Sequence, residues 1–426
     1  MEPSSLLTRV SDASDGRAPS SYPMVPRPAR DRYGLHLLLF LLTLVSTAYT
    51  ISPYIGRETV YQQSEVFFQD PIFGLSVGWP MIVDGLRFAL ALLFFLTVHE
   101  FGHYFAARVH RISTSLPYYI PSPLIGIGTL GAVIRIREPL PSERKLFDVG
   151  AAGPIAGFIV ALGVLLYALA TLPPPEYMLD VGGHEALTAF IRQHGRFPET
   201  MLVGPEDSPG QVIVVGQTPL YWVLSKLFAD VPPMYEMYHY PILFAGWLGL
   251  FFTALNLMPV GQLDGGHILY ALVGPKWHLR LARGFAILLL ISVSIGFVDE
   301  GVDFMIQWRP GLQAYINWLQ IGQWFMLAGF LFLVLNRIFK RDVRLIMPAL
   351  VGIVLIAVLA NAAGPALTQF GWMGWVVWCL LLVFLVRVEH PPVLYSEPLT
   401  PRRRALAILS MIIFILCFSI KPLYLV

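Results

Sequence analysis

Apolar residues in this chain fall in long unbroken runs rather than in short alternating patches. A run of about 20 apolar residues is enough for a helix to cross a bilayer. By that rule the chain offers nine candidate spans, at 34–52, 81–109, 148–172, 241–259, 281–298, 317–338, 345–364, 370–388 and 405–422. The second run is longer than a crossing needs, so its last turns, from Ala106, are expected to emerge at the interface. The pattern predicts an all-α polytopic membrane protein with about nine transmembrane helices in a lipid bilayer. One stretch departs from it. Pro117, Pro121 and Pro123 interrupt helix in the 113–147 connection, and from Val133 the apolar Ile134 and Ile136 alternate with Arg135 and Arg137. That period of two is a strand signature. Gly126, Gly128 and Gly131 permit a turn and the close approach of another backbone. The expectation is a short β-hairpin or strand that dips to the membrane.

Composition agrees with the runs. Of 426 residues, 56% are hydrophobic and 13% charged, about half the charged fraction of a soluble domain. A net charge of +2 provides no basic surface and argues against a nucleic-acid partner. Cys379 and Cys417 lie inside apolar runs and read as small hydrophobes. Charge also orients the spans. Basic connections (Arg108 to Lys145, Lys276 with Arg280, Arg337 to Arg344, Arg387 to Arg404) alternate with connections poor in Lys and Arg. The positive-inside rule then predicts a cytoplasmic N-terminus and an external C-terminus, with Lys421 the one residue against it. Residues 1–33 read as a disordered cytoplasmic tail without a signal-peptide cleavage site, and 34–80 as the first span and an external loop.

The chemistry is concentrated near the end of the second span, in His99-Glu100-Phe101-Gly102-His103. Helical residues four apart share a face, so His99 and His103 can grip one zinc ion from the same side. Glu100, beside them, can accept a proton from water at the metal. Ionisable groups in a stretch this apolar are costly and mark function by default. The competing view is that both histidines are satisfied core residues and Glu100 pairs with an Arg. The second and fourth spans both run from outside to inside. The fourth closes on Asn256-Leu-Met-Pro-Val-Gly-Gln-Leu-Asp-Gly-Gly-His267, where Pro259 breaks the helix and the glycines allow irregular backbone at membrane depth. Asp264 in that loop can supply the third ligand and leave a fourth position for water, which puts one Zn2+ in the cytoplasmic half of the bilayer. Alone, Asp264 would read as a helix cap. His267 reads as a supporting residue in the first turn that follows.

HEFGH followed by N-x-x-P-x-x-x-L-D-G resembles the site-2 proteases, the intramembrane zinc metalloproteases of peptidase family M50. Gly126 to Arg137 and Val149 to Gly157 also resemble that family, in the branch without a PDZ domain that includes the plastid members. The resemblance covers about 81–272 and implies that His99, His103 and Asp264 bind zinc, that Glu100 is the general base and that Asn256 assists catalysis. It further implies that the strand Val133, Ile134, Arg135 and Ile136 holds an extended membrane-protein substrate by its edge. Residues 81–298 would form the catalytic core, including an external insertion at 173–240. The helices of 299–426 receive no role. In the insertion, Gln211 to Val215 reads as a strand, and His184, His194 and His239 lack ligand spacing and are expected to be solvated. Two rival functions remain at this stage, a divalent-metal transporter and a catalytically silent membrane scaffold. The first would spread its ionisable groups over several spans, and the second would be expected to lose a ligand or Glu100.

Overall fold

The structure, a computed structural model, describes residues 31–71, 76–123, 126–202 and 212–425. All but the last three residues of the expected tail, and Gln211 of the expected insertion strand, lie outside them. Thirteen helices follow in order among the described residues: α1 (Tyr33–Ile55), α2 (Glu58–Gln63), α3 (Trp79–Val109), α4 (Glu143–Ala170), α5 (Glu185–His194), α6 (Pro219–Ser225), α7 (Pro241–Asn256), α8 (Asp264–Trp308), α9 (Ile316–Ile338), α10 (Val343–Ala363), α11 (Pro365–Thr368), α12 (Trp375–Leu380) and α13 (Pro401–Cys417). Strands are few and pair in twos: β1 (Val66–Gln69) with β2 (Ser76–Gly78), β3 (Tyr118–Pro121) with β4 (Thr129–Val133), and β5 (Ile213–Val215) with β6 (Leu423–Leu425), all antiparallel.

Helix α3 is packed against α1, α4 and α7. Small residues set those distances, because helices in lipid associate by close packing rather than by hydrophobic exclusion. A methyl group at Gly102 would stand 2.6 Å from the Ala152 carbonyl of α4, and one at Gly249 of α7 would stand 2.8 Å from Ala161. The apolar residues left outside, such as Leu37, Leu90, Phe94, Phe105, Ile159 and Leu355, form the face a bilayer would cover.

Among the described residues, six helical segments are long and apolar enough to cross a membrane: α1, α3, α4, α8, α9 with the turn before it, and α10. The other three predicted spans are shorter helices. The Asn256-to-Asp264 loop ends α7 after 16 residues, about 24 Å of helix. The eighth run holds only Trp375–Val386, closed by Arg387 at φ +64°. The ninth, α13, has 17 residues and opens with Arg402, Arg403 and Arg404. The ninth is nevertheless tied to the core at both ends. Arg403, at the start of α13, holds Asp148 at the start of α4 with Nε–Oδ1 2.7 Å and Nη2–Oδ2 2.8 Å. Past its end, the Ile420 carbonyl accepts from Trp375 Nε1 at 2.8 Å, and β6 pairs with β5 of the insertion.

The C-terminal helices are therefore part of the same unit as the core. The segment between α12 and α13 lies across the start of α4, where Ser142 Oγ donates to Glu397 at 2.7 Å and Arg144 pairs with Glu397 at 2.7 Å. The Arg387 carbonyl sits where a methyl at Gly261 would be, so the loop before Asp264 is held from outside by the last third of the chain.

Two expectations need correction. The strand lies earlier than the Ile134–Arg137 alternation placed it, pairing Tyr118 with Val133, Tyr119 with Ala132 and Pro121 with Thr129. Beyond Val133, two successive N–H groups leave the ladder, since Ile134 donates to the Glu100 carboxylate and Arg135 donates to Ser115 Oγ at 3.0 Å. Backbone pairing resumes with the Arg135 carbonyl, which accepts from the Ser115 N–H, and with Arg137, whose N–H donates to the Ser113 carbonyl. The expected solvation of the insertion histidines fails for two of the three. His239 is 4% exposed and the His184 side chain 17%.

The Arg403–Asp148 clamp is bidentate and only partly exposed, so it should be worth more than an ordinary surface pair. Arg403→Ala is expected to cost about 1–2 kcal/mol in thermal unfolding of the detergent-solubilised protein, and Arg403→Lys to recover less than half of that.

Candidate active site

Helix α3 presents His99 and His103 one turn apart on the face turned toward α4 and α7, both buried. Their Nε2 atoms lie 3.2 Å apart. Asp264, the first residue of α8, brings Oδ2 to 3.2 Å from His103 Nε2 and 3.6 Å from His99 Nε2. Two donor atoms each about 2.0–2.1 Å from one tetrahedral zinc ion stand about 3.3–3.4 Å apart. The three separations bracket that value, so the residues present fit such an ion and leave a fourth position open. Asn256, the last residue of α7, points its Nδ2 at the same place, 3.4 Å from His99 Nε2.

His103 is fixed by its other nitrogen. Nδ1 lies 2.7 Å from the Val149 carbonyl, to which it donates, so Nε2 keeps its lone pair for the cluster. His99 Nδ1 has no partner among the described residues. Its ring instead packs against α4, where a methyl at Gly157 would stand 3.0 Å from Nδ1. Gly150, Gly153 and Gly157 follow one face of α4, and each is filled by the site. A methyl at Gly150 would press on His267 Cβ at 2.9 Å, and one at Gly153 would overlap the His103 imidazole.

Glu100 is buried beside the cluster and accepts from the Ile134 backbone N–H, which turns the end of the β3–β4 hairpin toward it. The hairpin is wedged between α1 and α3. Ser46 Oγ donates to the Gly128 carbonyl at 2.6 Å, Thr50 Oγ1 donates to the Pro123 carbonyl at 3.1 Å, and Tyr119 Oη lies 2.7 Å from Thr97 Oγ1. Gly128, at φ +83°, packs its Cα directly on the α1 backbone. Of the four residues expected to hold substrate, Ile134 is thus beside Glu100. Val133 and Arg135 point to the exposed side, and Ile136 is half-buried and bridges to Thr114.

Sequence reasoning missed the supports that come from far along the chain. His267 Nδ1 lies 2.7 Å from His390 Nε2, and His110 Nε2 lies 2.8 Å from Asp148 Oδ2, next to the Val149 that orients His103. Neither pair has a local signal, because each joins residues on separate helices or loops.

Residues 87–298 match the family model described as peptidase family M50. Through this stretch the chain belongs to peptidase family M50. Its similar proteins include the probable zinc metalloprotease EGY1 of Arabidopsis thaliana chloroplasts, 27% identical over 69% of this chain and 50% of that one. The probable chloroplastic zinc metalloprotease EGY2 of Oryza sativa subsp. indica is 26% identical over 74% of this chain and 59% of its own length. The probable zinc metallopeptidase EGY3 of Arabidopsis thaliana is 30% identical over 48% and 32%. The chain therefore spans little more than half the length of the first two relatives. No solved structure matches it. The match encloses His99, His103, Asn256 and Asp264, and also the M50 stretch of α4 that carries Gly150, Gly153 and Gly157.

The glycine face of α4 gives a direct test. Gly153→Ala drives a methyl into a ring that is held at both nitrogens and is expected to destabilise the fold by about 1–3 kcal/mol. Gly163→Ala, in the same helix with open space around it, should be neutral or slightly stabilising, since Ala is the better helix former. Thermal unfolding of both variants compares them.

Proposed function

We propose that this chain is an intramembrane zinc metalloprotease of the site-2 type, cutting peptide bonds in or next to the membrane-spanning segments of other proteins in regulated proteolysis. The observation that carries the reading is the convergence of two imidazoles and one carboxylate at 3.2–3.6 Å in the apolar interior, with a further carboxylate, Glu100, free of that set and buried beside it. His99, His103 and Asp264 would hold one zinc ion. When bound, zinc polarises the scissile carbonyl and makes its water more acidic. Glu100 takes the proton of the attacking water and passes it to the leaving amine. Asn256 donates its amide to the substrate carbonyl and steadies the charge that develops there.

The substrate must reach this point as extended chain, because a helix hides its carbonyls in its own hydrogen bonds. The β3–β4 hairpin supports an edge-binding role, since it lies along α1 and ends on Glu100. We place the cluster in the cytoplasmic half of the bilayer, with a cytoplasmic N-terminus and an external C-terminus, on the strength of the Lys and Arg distribution. The pairing of β5 with β6 supports one shared side for the insertion and the C-terminal strand, as a count of nine crossings requires.

Glu100→Gln is expected to keep the zinc of the unsubstituted protein and to lose at least 100-fold in cleavage of a single-span model substrate, the magnitude of a lost general base. Asp264→Asn and His103→Ala should lower zinc content as well. Atomic-emission analysis of the purified variants alongside a gel assay reads both quantities. Cleavage by Glu100→Gln at the unsubstituted rate would end the protease reading.

A further inference from the structure

A second group of metal-binding side chains lies at the other end of the core. His184 stands just before α5, Glu236 precedes the short turn Met237–His239, and His239 leads into α7. His184 Nδ1 is 3.4 Å from Glu236 Oε1, and His239 Nε2 is 3.4 Å from Glu236 Oε2, so the carboxylate offers one oxygen to each ring. The three donor atoms all lie within 4.8 Å of one another. We infer that His184, Glu236 and His239 form a second divalent-metal site, suited to zinc, that staples this end of the fold.

The histidines are disposed as in the first cluster. Ring centroids of His184 and His239 are 4.9 Å apart at 87°, against 4.8 Å and 74° for His99 and His103. His239 is 4% exposed, and its Nδ1 donates to the Ile55 carbonyl at 2.9 Å, as His103 does to Val149. That bond leaves Nε2 with a lone pair directed at the carboxylate. Nε2 has no hydrogen-bond partner among the described residues. A buried imidazole nitrogen in that state is costly unless something electron-poor sits in front of it.

Glu236 is 2% exposed and sets one carboxylate oxygen toward each ring in the interior. Two nitrogens and a carboxylate are an ordinary zinc donor set, whose shell water would complete.

The staple would join three separate pieces: the end of α1 at Ile55 and Gly56, the 181–184 loop and the entry to α7. Gly56, at φ +66°, packs against both the His239 ring and Val181. Helix α7 then carries this anchor to Asn256 at the first site, about 24 Å along its 16 residues. No ionisable side chain occurs from Pro241 to Leu263, so the two clusters are separate sites rather than stations on an ion path.

The test uses the full chain with the first cluster removed. His99→Ala/His103→Ala, purified in detergent with limiting zinc and then dialysed against a weak chelator, is expected to retain one zinc per chain by atomic emission. Adding His239→Gln should bring the count to zero, and returning zinc should raise the thermal midpoint of the first variant but not of the second, because binding to the native state alone stabilises it. This background makes the outcome independent of whether the first cluster binds metal. In case the triple variant does not fold, crystals of the unsubstituted protein measured across the zinc edge should give an anomalous peak between His184, Glu236 and His239. A count of zero in His99→Ala/His103→Ala, or no peak at that place, overturns the second site.

Discussion

Everything at the centre of this fold depends on bringing two imidazoles and a carboxylate to within 3.2–3.6 Å of each other where water is scarce. Three polar groups in an apolar interior are unstable neighbours unless each is held from behind. The fold assembles them from three further contacts, and of the two rings only His103 is held from behind among the described residues. Val149 of α4 takes the outer nitrogen of His103, the Asn256 amide closes α7 over His99, and Asp264 opens α8. The glycines of α4 are what make this possible, since any side chain at Gly153 would occupy the place of the His103 ring.

That constraint accounts for the irregular segments around it. Helix α7 stops at Asn256 because the loop through Pro259 and Gly261 must carry Asp264 back into the interior, and such a loop survives at membrane depth only when protein covers it. The cover comes from the C-terminal third of the chain. The Arg387 carbonyl lies against Gly261, His390 meets His267, and Arg403 grips Asp148 one residue before Val149. The late helices thus have a physical task in bracing the loop that carries Asp264.

The sequence made some of this readable and hid the rest for definite reasons. His99, Glu100 and His103 stand out because helical spacing and an apolar setting are both local. Asp264 follows from a Pro- and Gly-broken stretch at the end of a parallel span. The glycine face of α4 is legible as small-residue packing, though not as the specific seat of an imidazole. The strand was placed too late, since the alternation through Arg137 persists where the N–H groups of Ile134 and Arg135 have left the ladder for Glu100 and Ser115. His184 and His239 looked solvated because 55 residues separate them, and ligand spacing cannot be seen across a fold. The span count rested on hydropathy, which does not register where a helix ends early at Asn256 or Val386.

The central claim is hydrolysis at the His99, His103 and Asp264 cluster within the membrane, and the position of the cut tests it most directly. A single-span substrate co-reconstituted with the purified protein in vesicles, incubated in oxygen-18 water, can be mapped by mass spectrometry. The account predicts a new carboxyl terminus inside the apolar stretch, carrying one oxygen-18 atom from the solvent and absent when zinc is chelated. Cuts confined to residues outside the apolar stretch, or a cut that persists undiminished after zinc is removed, would contradict it.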